Sequence, residues 1–218
     1  MRSHQLGRLG AWTAGTATLF FALSMLLPDK ALSGLLSYGT SFFIALGYLL
    51  MTCGLAAFAE QDRKGCAYAS VAFAAVYASL ILLVYYTQLT TVWHKAAPAE
   101  MLDALTYRPG SWMFNIDLLG YGMLSLSAVF AGLSITALTK GEAWLRRLLL
   151  IHGVFAVTCL LFPVLDLFKE GTGAAGGDLF GVIVLEFWCV YFLPVTVLFA
   201  RYMKRQGPES KGSVSSHQ

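Results

Sequence analysis

Charge is scarce in this sequence. Only 12% of its 218 residues are Asp, Glu, Lys or Arg, while 57% are hydrophobic; a typical soluble domain carries about 25% charged residues. A chain of this composition has too little polar surface to face water on every side, which excludes a water-soluble globule. Cysteine is sparse too. Cys53, Cys66, Cys159 and Cys189 are too few and too scattered for a disulfide framework, and no C-x-x-C or His/Cys spacing suits zinc. The richest glycine run, residues 171–178, follows no strand and lacks the Gly-Lys-Ser/Thr of a phosphate loop. The net charge of +3 is small, and the basic residues sit at the ends of apolar stretches instead of forming a stripe. No nucleic-acid partner, metal or cofactor is expected; the expected partner is the lipid bilayer, with anionic headgroups meeting the basic residues.

What is present in abundance is apolar length. Six stretches, residues 9–27, 37–59, 66–93, 112–138, 144–168 and 179–203, approach or exceed the ~20 residues that cross ~30 Å of hydrocarbon. The expected fold class is an all-α integral membrane protein, a six-transmembrane-helix bundle over residues 1–205 with a disordered tail over 206–218. Threading follows from the basic residues. With the N-terminus cytoplasmic, Arg2, Arg8, Arg63, Lys64, Lys140, Arg146, Arg147, Arg201, Lys204, Arg205 and Lys211 lie inside, and only Lys30, Lys95, Arg108 and Lys169 outside. The positive-inside rule therefore puts both termini in the cytoplasm. Trp12, Trp93, Trp112 and Trp144 fall near span ends, where an indole N–H stays close to water, whereas Trp188 lies deeper. In size and span number the chain is similar in a general way to small bacterial six-span membrane proteins, so the expected location is the cell (plasma) membrane, a bacterial inner membrane.

The connections differ in length. Residues 60–65 and 139–142 are tight charged turns, which makes helix hairpins of spans two with three and four with five. Residues 94–111 form a longer outer connection in which Pro98 opens a short helix with Met101, Leu102 and Leu105 on one face. Ala31-Leu32-Ser33 has the small-x-small form of a signal-peptidase site, but the apolar run before it is long for a signal peptide and Pro28-Asp29-Lys30 reads as a turn, so the first span is expected to be retained. Pro163 and Pro194 each remove one helical hydrogen bond inside the last two spans.

Charged groups within apolar spans cost about 2.5–3.5 kcal/mol at mid-helix, and polar groups there point to partners or ligands. Five fall at one depth in the outer third: Gln88 on span three, Asn115 and Asp117 on span four, Asp166 on span five and Glu186 on span six. Glu186 stands out, because Val182-Ile183-Val184-Leu185 precedes it and Phe187-Trp188-Cys189-Val190 follows. It is expected either protonated or ionised against a partner from another helix. Tyr85, Tyr121, Trp188 and His152 are candidates to line the same pocket. The plainer reading is that these groups hydrogen-bond neighbouring helices and hold the bundle together. Three functions remain on the sequence: a bundle binding or translocating a cation or small amphipathic molecule through an outward-facing acidic pocket, ranked first; a non-catalytic membrane subunit or sensor; and an intramembrane acid/base enzyme acting on a lipophilic substrate, for which no nucleophile–base pair is visible.

Overall fold

The computed structural model describes residues 1–165 and 177–207, all of whose regular structure is helical. The elements are α1 (Ser3–Met25), α2 (Lys30–Ala56), a 3-10 turn (Gln61–Arg63), α3 (Lys64–Thr87) running into a π-helical turn (Gln88–Val92), α4 (Ala99–Leu105), α5 (Trp112–Ser134), α6 (Lys140–Ile151), α7 (Val154–Val164) and α8 (Gly177–Arg205). Five stretches are long and apolar enough to cross a membrane: Lys30–Ala56, Gln61–Val92, Trp112–Ser134, Lys140–Val164 and Gly181–Arg205. The protein is a multi-pass membrane protein. α1 does not join these five, because Arg8 and a run of Gly, Ala and Thr lower its hydropathy and the helix stops at Met25, before Leu26 and Leu27.

Local chemistry sets the helix starts. The Asp29 carboxylate accepts from the Ala31 and Leu32 amides, at 2.9 and 3.1 Å, and opens α2. Ser111 caps α5, and Thr139 with Glu142 forms a reciprocal capping box on α6. Ala31-Leu32-Ser33 thus lies in the first turn of a helix.

The rods close into a ring in which neighbours run antiparallel. α1 packs between α2 and α8, α2 on α3, α3 on α5, α5 on both α6 and α7, and α6 on α8. Hydrocarbon chains are as apolar as the helices, so close packing drives this association more than burial does. The α1–α2 contact is backbone to backbone: a Cβ on Gly10 would stand 2.5 Å from the Gly47 carbonyl oxygen, and one on Gly54 2.5 Å from the Gly7 Cα. Between the rods Tyr48, Tyr77, Ile81, Leu124, Phe192 and Phe199 are fully buried.

Several boundaries differ from the sequence expectation for physical reasons. The expected fifth span is two helices, because the chain tightens at His152 and Gly153, where Gly153 N–H donates to Leu150 O and Phe155 N–H to His152 O. Gly153 is needed there, since a Cβ would meet Val129 of α5 at 2.5 Å. α5 ends at Ser134 instead of 138, where Arg63 from the 3-10 turn donates to the Leu133 carbonyl at 3.1 Å and takes over its cap. The short helix after Pro98 forms as α4. Neither proline stops its helix: Pro163 sits in the last turn of α7 and Pro194 inside a continuous α8. Asp166, most of the glycine run and the tail from 208 lie outside the described residues.

Candidate functional site

At the α4 end of the bundle, α5, α7 and α8 enclose a cavity of about 230 Å³. Phe114, Asp117 and Tyr121 line it from α5, Phe155, Cys159 and Phe162 from α7, Gly181, Val184, Leu185 and Trp188 from α8, and Tyr107 reaches in from the connection after α4. The wall is almost wholly apolar. Ser125 and Thr158 also reach it, but their hydroxyls donate to the helix carbonyls of Tyr121 and Phe155.

Among the described residues, Asp117 is the acidic group of this wall, and it is 3% exposed. Its Oδ2 accepts from the Tyr107 hydroxyl at 2.9 Å, while Oδ1 is buried without a hydrogen-bond partner. No ion pair formed among the described residues involves it; the groups acting on it are the hydroxyls of Tyr107 and Tyr85. Burial, reinforced by the Asp117 carboxylate, holds the Tyr107 phenol well above its usual range, so it stays a donor. A buried carboxylate with one oxygen satisfied and one open is an acceptor site waiting for a donor.

Tyr107 is placed by a clamp. Gln88 Nε2 donates to the Leu105 carbonyl at 2.8 Å, and Gln88 Oε1 accepts from the Tyr107 amide at 2.9 Å. The π-helical turn that begins at Gln88 belongs to the same junction of α3 with the α4 connection. Around it, Tyr38 stacks on Tyr85 with ring centroids 5.3 Å apart, and Tyr107 meets Phe114 edge-on at 5.7 Å. Beyond α4, Arg108 turns back to clip Asp103 on that helix through two hydrogen bonds of 2.7 and 3.1 Å and holds that carboxyl below its ordinary range.

The inner wall of the cavity is also tied down. Trp188 stacks on Phe192 at 4.9 Å and donates its indole N–H to His152 Nε2 at 3.1 Å, at the α6–α7 break. The Tyr191 hydroxyl donates to the Leu148 carbonyl. At the arginine-rich end Arg205 reaches Thr139 Oγ1 at 2.8 Å and Glu142 Oε1 at 3.3 Å, binding α8 to the start of α6.

Of the residues singled out from sequence, Asp117, Tyr121 and Trp188 share the cavity wall. Tyr85 and His152 stand directly behind it, and Gln88 spends both ends of its amide on the clamp. Asn115 is half-buried and outside the wall. Glu186 is half-buried and also outside it, its Oε1 without a partner among the described residues. Asp166 lies outside the described residues. Sequence reasoning missed Tyr107, since a tyrosine in a connecting segment has no periodicity to betray it; its one signal was an aromatic ring directly before Arg108-Pro109-Gly110. No three His, Cys, Asp or Glu among the described residues group as metal ligands. Comparison of the chain with protein-family models, with curated proteins and with solved structures returns no match.

Proposed function

We propose that the protein binds a small amphipathic molecule in the outer half of the membrane, with Asp117 receiving its cationic or hydrogen-bond-donating head and the α5–α7–α8 cavity its apolar body. The unpartnered Oδ1 of Asp117, a residue in the wall of an apolar cavity, carries the reading. In this reading the arginine-rich end faces the cytoplasm, the α4 end faces outward, and α1, antiparallel to both α2 and α8, is a sixth crossing of the cell membrane. Tyr121 and Trp188 serve as walls, and Gln88 acts at one remove by holding Tyr107. Binding is favoured over acid/base catalysis because, among the described residues, one carboxyl group and not a pair stands at the cavity; Glu186 and Asn115 lie outside its wall.

The test is ligand-dependent stability of the full-length protein in lipid nanodiscs, using octylamine, benzyltrimethylammonium and tetramethylammonium as probes. A ligand at 100 times its Kd stabilises the folded state by about 2.7 kcal/mol, which raises the unfolding midpoint. At least one probe should raise it in wild type and fail to do so in Asp117→Asn, whose amide oxygen still accepts from Tyr107. Equal responses in both proteins, or none in either, overturn the reading.

A further inference from the structure

The cavity has an opening that the function alone does not require. Phe162 and Val184 line it and are also 37% and 44% exposed on the flanks of α7 and α8. Exposure at that depth, on apolar faces that include Leu161, Val164, Ile183 and Phe187, is exposure to lipid. Among the described residues α7 and α8 make little contact with each other, whereas α6 and α8 are packed. Among the described residues the ties between these rods lie at Trp188–His152 and below.

On the α4 side a fixed side chain lies over the cavity. Tyr107 covers the cavity from the α4 side, fixed by Gln88 through two backbone hydrogen bonds and packed on Tyr38, Tyr85 and Phe114. Inside, among the described residues, polar recognition falls at one point. Asp117 Oδ1 has no partner, while the Ser125 and Thr158 hydroxyls already donate to their own helices. Among the described residues, one buried carboxyl group and hydrocarbon walls fit a molecule with one cationic donor and a chain.

Building on the proposed binding role, we infer that the occupant is a single-chain lipophilic amine that enters sideways from the outer leaflet between α7 and α8. Its ammonium donates to Asp117 Oδ1, and its chain leaves between Phe162 and Val184 into the bilayer. A soluble cation of the same head lacks both the route and the contacts.

Decylamine, ethylamine and decanol discriminate the terms, with the unfolding midpoint of the full chain in nanodiscs as readout. Decylamine should act at concentrations on the order of 100-fold or more below ethylamine, since each added methylene is worth about fourfold in transfer from water. Decanol, matched in chain but without the cation, should be at least tenfold weaker than decylamine. Gly181→Trp places a ring in the opening, where a Cβ at Gly181 meets nothing within 4 Å, and should weaken decylamine at least tenfold while Gly181→Ala does not. If Gly181→Trp does not fold, Val184→Trp takes its place. Ethylamine matching decylamine, with Asp117 dependence in both, leaves the binding role standing and overturns the chain and the lateral route. Decanol matching decylamine overturns the amine. Decylamine binding unchanged in both tryptophan variants overturns the route. Loss of Asp117 dependence for every probe removes the binding role itself, and this inference with it.

Discussion

Replacing Gln88 by Leu keeps most of the side-chain bulk and deletes both bonds of the clamp, so it should free the segment that carries Tyr107. The two bonds run to backbone groups, at 2.8 Å to the Leu105 carbonyl and 2.9 Å from the Tyr107 amide, and Gln88 is 4% exposed. A typical net hydrogen bond is worth about 1 kcal/mol, while interhelical polar bonds in membranes average ~0.6. Two bonds then give roughly 1.2–2 kcal/mol, an increase of about 8- to 30-fold in local opening. Hydrogen exchange of peptides covering residues 102–111, in nanodiscs, reads this directly. The Tyr107 amide should exchange faster by that factor in Gln88→Leu, while amides in the middle of α3 and α5 keep their rates. The clamp also aligns the Tyr107 hydroxyl on Asp117, so the variant should weaken Asp117-dependent ligand stabilisation without abolishing it. Exchange at Tyr107 altered less than threefold would refute the clamp. Equal acceleration along the whole chain would mean that Gln88 supports the bundle in general and not this segment.

The α1–α2 contact makes a prediction of sign. Gly10→Ala should lower stability by about 1–3 kcal/mol through overpacking, because the new Cβ meets the Gly47 oxygen and Met51 nitrogen at 2.5 Å; Gly39→Ala, with nothing within 4 Å, should be neutral or stabilising through helix propensity, and unfolding midpoints that move together would break the argument. Asp103 should titrate below its ordinary value of 3.8 because of Arg108. Its carboxyl NMR shift should return to that value in Arg108→Ala. Since the folded pKa is the depressed one, the clip contributes at pH above the ordinary value and is lost as pH falls through the lowered one.

Membrane class, the approximate place of most helices and the sign of each end were all legible in the sequence, because they depend on quantities summed along the chain. Apolar length sets the crossings, basic residues set the expected orientation, and Asp29, Ser111 and Thr139 mark their own helix starts. Position along each helix was legible for the same reason, since counting residues along a span puts Asp117 and Glu186 at similar distances from the arginine-rich end. Which way each faces was not. In a bilayer the core side and the lipid side of a helix are both apolar, so the pattern that marks the buried face of a soluble helix is weak here. Tertiary packing decided that Asp117, and not the more conspicuous Glu186, meets the cavity. It spent Gln88 on a connecting segment and brought in Tyr107, nearly twenty residues away in sequence. It broke the fifth span at Gly153, where α5 comes too close for a side chain. The sequence determined how far along its helix each group sits because rise is additive along one helix; the ring of antiparallel rods decided which groups meet, because facing is a property of pairs of helices.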